Sequence, residues 1–203
     1  MPPSCSGRRG GALRVLVVTA LATALLLASG AAAGAGSWRF TDPGGDVVRV
    51  DPEGRQVRAL PGRAAGDVQR VAVGHARGRL VVRLTLRAGL PSSYWQVSEQ
   101  VVTGRARFAL NVYRGHGWGA VSLYRYRGVQ DVRAVRCAGL RVSHGVRTVV
   151  LSLPTRCLGE PRSVRVRALV ATGDEDGLDV ADDALRGGWR EGGTRLSPRI
   201  PRG

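Results

Sequence analysis

The segment GDEDGLDVADDAL (173–185) gathers six carboxylates, Asp174, Glu175, Asp176, Asp179, Asp182 and Asp183, within thirteen residues of an otherwise basic chain. Hard oxygen donors at this density suit calcium, which takes about six to eight of them. The spacing departs from that of an EF-hand loop, which needs acids at alternate positions and a closing Glu. The expectation is a weak calcium site on Asp174, Asp176, Asp179, Asp182 and Asp183. The alternative is a solvated acidic loop whose carboxylates pair with neighbouring arginines. No other cofactor is implied.

Aromatic side chains form the second set capable of recognition. Tyr113, Trp118, Tyr124 and Tyr126 fall around one expected hairpin, and Tyr94-Trp95 precede it. Exposed, such rings stack on sugar faces or hold a protein partner; buried, they are ordinary core or cross-strand pairs. Trp118, set among Gly115, Gly117 and Gly119, is the ring best placed for solvent. Covalent chemistry has less to work with. His75, His116 and His144 lie on separate segments in or near turns, and GxSxG, HExxH, Walker A and Rossmann-type glycine patterns are absent. No catalytic residue is assigned.

The N-terminus has the three regions of a cleavable secretory signal. Arg8, Arg9 and Arg14 supply positive charge, and no acid occurs before Asp42. Val15 to Leu27 then form an apolar run of 13 residues, short of the roughly 20 that span a bilayer. Small residues follow, with cleavage expected after Ala33 or Ala35. The paired arginines lack the bulky apolar pair that twin-arginine export wants, which favours the general secretory route. Cys5 precedes the apolar run and cannot serve as a lipoprotein cysteine. The expectation is an exported protein, secreted or held at the envelope, with residues 1–35 removed and no membrane span afterwards.

Charge narrows the partners. All 31 basic residues are arginine, while Asn111 and Ile200 are the only residues of their types, a pattern of GC-rich coding. Coding bias explains why the cations are arginines but not why they outnumber the acids. Beyond residue 35 there remain 28 arginines against 15 acids, a formal +13. Such a charge attracts anions, over a range screened within about 10 Å at 0.1 M salt. Outside a cell the abundant polyanions are envelope polymers and lipid headgroups, so nucleic acid is not expected. A basic but merely solvated surface is the plain alternative.

The elements that must position these groups read as strands. In RLVVRLTLR (79–87), Leu80, Val82, Leu84 and Leu86 face one way, and Val81, Arg83, Thr85 and Arg87 the other. VQRVAVGH (68–75) precedes it across a short turn, which makes a hairpin. RFALNVYR (107–114), with Phe108, Leu110 and Val112 inward, and AVSLYRYR (120–127) flank an expected Gly115–Gly119 loop. Further strands are expected at 132–137, 140–143, 147–154 and 163–172, and an earlier pair at 47–50 and 56–60. Trp38 and Phe40 alternate near the start and look like core. Residues 92–102 and 178–187 could each hold a helical turn. Cys137 and Cys157 are the two cysteines left in an oxidising compartment and are expected to pair. Their loop of about 20 residues would contribute about 3 kcal/mol. The sum is an all-β chain, an antiparallel β-sandwich of about eight to ten short strands with a closed barrel as alternative. It would occupy residues 36–187, followed by a loosely ordered tail, 188–203.

Three segments, TDPGGDV (41–47), LPTRCLGEPRSVRVRALV (153–170) and ADDALRGG (181–188), carry a resemblance. The chain resembles small exported β-sandwich proteins of actinobacteria, and more distantly carbohydrate-binding-like sandwiches such as DOMON domains and family 9 carbohydrate-binding modules. The resemblance implies the sandwich and the compartment; for ligand it offers analogy alone. The expected function is a non-catalytic binding domain for an anionic envelope polymer or a glycan, with Tyr113, Trp118, Tyr124 and Tyr126 as the contact patch. A structural or protein-interaction domain of the envelope is the alternative, and an exported enzyme with an unrecognised site the third.

Overall fold

The computed structural model describes residues 36–51, 55–128, 131–174, 177–187 and 195–203. The expected signal peptide lies outside these residues. The described chain folds into two antiparallel sheets that are stacked rather than closed into a barrel. The first sheet runs β1 (Gly36–Thr41), β4 (Val68–His75), β5 (Arg79–Leu86), β11 (Thr148–Pro154), β10 (Arg141–His144). The second runs β3 (Gln56–Ala59), β2 (Val48–Val50), β13 (Gly177–Asp183), β12 (Ser163–Asp174), β6 (Tyr94–Val102), β7 (Arg107–Gly115), β8 (Trp118–Arg127), β9 (Asp131–Ala134). A short β14 (Ile200–Pro201) pairs with the start of β12. No helix among the described residues is long and apolar enough to cross a membrane.

Period-two alternation sets the core. Leu80, Val82, Leu84 and Leu86 of β5 are buried, as are Phe108, Leu110 and Val112 of β7 and Val149, Leu151 and Leu153 of β11. With one face of each sheet apolar, the two sheets bury those faces against each other. The disulfide Cys137–Cys157 ties the layers together, with Cα atoms 5.7 Å apart. Cys137 follows β9 of the second sheet, and Cys157 sits in a 3-10 turn, Thr155–Leu158, after β11 of the first.

Fourteen strands among the described residues exceed the eight to ten expected. The stretches read as helical turns, 92–102 and 178–187, are β6 and most of β13. In each, a carboxylate occupies an inward position: Glu99 lies between Val97 and Val101, and Asp182 follows Val180 by two. An acid in the buried series breaks the apolar alternation that marks a strand. Pairing along β12 on one side and β7 on the other overrides local preference in β6. The Gly115–Gly119 loop is also tighter than expected. Its strands pair up to Gly115 and Trp118, leaving His116-Gly117 as a two-residue turn with Gly117 at φ +73°. Trp118 is thereby a strand residue.

The final residues are held down. Ile200 is buried, and the Ser197 N–H and hydroxyl bracket Val166, donating to its carbonyl (2.8 Å) and accepting from its N–H (2.9 Å). β13 covers only the later half of β12, so Ser197 and β14 complete the hydrogen bonding of its first half. The looseness expected of residues 188–203 is thus absent from 195–203.

Candidate functional site

Strands β6, β7 and β8 are consecutive neighbours, so their outward residues form rows that cross the sheet. The row at the hairpin end is Tyr94, Gly115 and Trp118. Trp118 is half exposed, its ring lies 6.4 Å from that of Tyr94, and its indole covers Gly115, where a β-carbon would collide with both rings. The next rows are Gln96–Tyr113–Ala120, then Ser98–Asn111–Ser122, then Gln100–Ala109–Tyr124, then Val102–Arg107–Tyr126. At two residues per step, the five rows span about 26 Å.

A hydrogen-bonded chain fixes the middle of this face. Gln96 Nε2 donates to Ser98 Oγ (2.6 Å), and Ser98 Oγ donates to Asn111 Oδ1 (2.8 Å). The Tyr113 hydroxyl also accepts from Gln96 Nε2 (3.4 Å). These groups are only half-buried, so their remaining donors and acceptors are open to a ligand. The small side chains of Ala109 and Ala120 leave room between Tyr113, Tyr124 and Tyr126. The four aromatic residues expected to form a contact patch therefore share one face of one sheet, and Tyr94 joins them.

Arginines gather where the rows end. On the core-facing side of β7 and β8, a groove of about 690 Å³ opens beside the β6–β7 turn, lined among others by Arg105, Arg125, Arg156 and Arg162 with Phe108 and Leu158. Next to it lies a shallower hollow bounded by Arg105, Arg107, Tyr126 and Arg127. The Arg125 guanidinium lies 6.0 Å from the Phe108 ring, and its buried Nε–H has no acceptor among the described residues. Arg125 also stands directly opposite Arg133 on β9, a like-charge pair that costs free energy unless an anion is near. Arg133 offsets part of this through Asp131, at 2.9 Å. Charge spread through the sequence is thus concentrated by β-pairing, which brings residues 105–107, 125–127, 133 and 156–162 to one end.

The acidic segment behaves differently. Asp174 and Asp176 have side chains outside the described residues. Asp179 pairs with Arg49 at 3.2 Å on the surface. Asp182 and Asp183 are adjacent on β13 and point to opposite faces, Asp182 inward beside Val170 and Asp183 outward beside Leu169. Burial raises the Asp183 carboxyl above its usual range, opposed by the charge of Arg167. Among the described side chains, Asp182 is therefore on the opposite face of β13 from Asp179 and Asp183, and the expectation for Asp174 and Asp176 lies outside the described residues.

The histidines are likewise dispersed. His75 is fully buried, with Nδ1 3.2 Å from the Ile200 carbonyl, and burial lowers its pKa. His116 lies edge-on to Tyr94, and His144 edge-on to Trp95. None is paired with a nucleophile. Glu99 is buried in the core, neither oxygen has a hydrogen-bond partner among the described residues, and burial pushes its carboxyl up to about 8.

No protein-family model matches the chain, and neither a curated protein nor a solved structure matches it.

Proposed function

We propose that the protein is an exported, non-catalytic β-sandwich domain that binds an anionic, glycan-like polymer of the cell envelope along the outer face of β6, β7 and β8. One observation carries this reading: a single continuous face joins Tyr94 and Trp118, a neutral amide and hydroxyl row, and an end lined by Arg105, Arg107 and Arg127. Rings supply flat apolar contact, and the Gln96–Ser98–Asn111 row supplies hydroxyl-complementary hydrogen bonds. The arginines supply attraction to carboxylate or phosphate, with a planar fork that suits both. The +13 formal charge beyond residue 35 adds long-range steering. The resemblance to carbohydrate-binding-like sandwiches supports the same ligand class by analogy.

The test is co-sedimentation of the purified, oxidised protein with isolated envelope, intact or stripped of anionic polymers, at low and high salt. The expected result is binding that needs the polymers and falls steeply with salt. Trp118→Ala should weaken it about tenfold, in line with loss of one aromatic contact. Arg105→Ala combined with Arg107→Ala should flatten the salt dependence. Binding indifferent to both salt and Trp118 would remove this mechanism and move the protein to the class of protein-interaction domains.

A further inference from the structure

The loop between β1 and β2, TDPGGDV, turns back sharply through Gly44 and Gly45, whose φ values of +72° and +77° suit glycine. The turn sets Asp42 and Asp46 side by side and presses both toward Asp182 of β13. One carboxylate oxygen from each of the three lies within 4.8 Å of the others. Asp42 and Asp182 are 3% and 2% exposed, and neither has an ion-pair partner among the described residues. Among the described residues, both oxygens of Asp42 and Oδ1 of Asp182 accept no hydrogen bond; Oδ2 of Asp182 accepts the Val68 N–H at 2.6 Å. Asp67, also fully buried, accepts the Gly45 N–H at 2.7 Å and approaches Arg87 at 3.4 Å, while its Oδ1 is unpartnered.

Buried carboxylates without donors are costly unless something positive or a proton meets them. We infer that Asp42, Asp46 and Asp182, with Asp67 beside them, form a calcium site that pins the β1–β2 loop to β13. The donor set is all oxygen, which excludes the usual ligands of zinc and copper and suits a hard cation. Calcium holds its oxygens at about 2.3–2.6 Å, so a shell of ligands spans up to about 5 Å, in keeping with the observed grouping. Burial, with repulsion from the neighbouring carboxylates, pushes Asp42 up to about 9 and Asp182 up to about 8. The ion would join the two layers, since Asp42 follows β1 of the first sheet and Asp182 lies on β13 of the second.

The test is thermal unfolding and calorimetric titration of the EDTA-treated, oxidised protein with calcium chloride, with magnesium chloride in parallel. Calcium at about a hundred times its Kd should raise Tm by about 5–10 °C, and magnesium should not. Asp42→Asn and Asp182→Asn should each abolish the calcium shift and binding heat while keeping the β-sheet circular dichroism in EDTA, because an amide relieves the repulsion. Asp179→Asn should leave the calcium shift intact. The absence of any calcium shift, an equal response to magnesium, or a shift that survives both substitutions would each overturn the assignment.

Discussion

On the outer face of β6–β8 the protein displays its charge, whereas where the β1–β2 loop meets β13 it hides it. The first region is built from arginines at the ends of paired strands, Arg105, Arg107 and Arg127, exposed around a shallow hollow. The second is built from aspartates drawn out of solvent. At least five of the 15 acids, Asp42, Asp67, Glu99, Asp182 and Asp183, are buried, while no arginine is buried among the described residues. The surface is therefore more cationic than the formal count suggests. Acids withdrawn from the surface cannot screen the arginines, and in the interior a carboxyl is held neutral or met by a cation. Segregation of this kind is what the proposed anion-binding face and the proposed ion-pinned loop each require.

Four measurements would break or sharpen this contrast, beginning with the largest effect. Burial alone raises Glu99 to about 8 from an ordinary 4.5. Its folded pKa is raised, so its stabilising contribution is complete below about 4.5 and is lost as pH rises toward 8. Each unit in that window costs about 1.4 kcal/mol. Glu99→Leu should remove this component, so the difference between wild-type and variant stability should grow by on the order of 4 kcal/mol across it. Equal pH slopes for the two proteins in denaturant titrations would show that Glu99 has a partner in solution.

The disulfide comes next. Cys157 lines the arginine groove on the core-facing side of the same sheet end, so the bridge supports that end as well as the fold. Cys137→Ser with Cys157→Ser should cost about 3 kcal/mol by freeing a 20-residue loop in the unfolded chain. It should also weaken polymer binding more than loss of any single arginine. Unchanged affinity in a folded variant would separate the groove from the bridge.

At the opposite end of the face, Trp118→Ala should cost about 1–1.5 kcal/mol in binding but under about 0.5 kcal/mol in stability, because the ring is half exposed. A larger loss of stability than of affinity would make Trp118 a packing residue over Gly115. The smallest effect is expected at Arg133. Its pair with Asp131 is exposed and worth about 0–1 kcal/mol, and removing it also relieves Arg125. Arg133→Ala should leave Tm within about 2 °C while reducing the salt sensitivity of binding.

The hairpin β4–β5 and the inward series of β7 were legible because the inward residues are apolar, apart from His75 at the end of β4, and the turns carry glycine. The aromatic patch was legible in part: alternation placed Tyr124 and Tyr126 on one face, but nothing local tied them to Tyr94 or to the Gln96–Ser98–Asn111 chain. Those links depend on β6, whose strand pattern is interrupted by Glu99. β13 was obscured in the same way by Asp182, and with it the partners of Asp42 and Asp46. The acidic segment drew attention to Asp182 on local density, yet its neighbours in space come from residues more than a hundred positions away.

By itself, the sequence determined the all-β class, most strand positions, the cysteine pair and the surplus of arginine. These follow from local alternation, turn residues and counting. Only the tertiary structure decided which strands are neighbours, and so which side chains meet. It gathered scattered arginines at one end of the second sheet, aligned five aromatic rings along one face, and enclosed aspartates from three separate segments in one buried cluster. The physical reason is that an acid's local context marks it as solvated, while its burial is imposed by long-range pairing of the strands on either side.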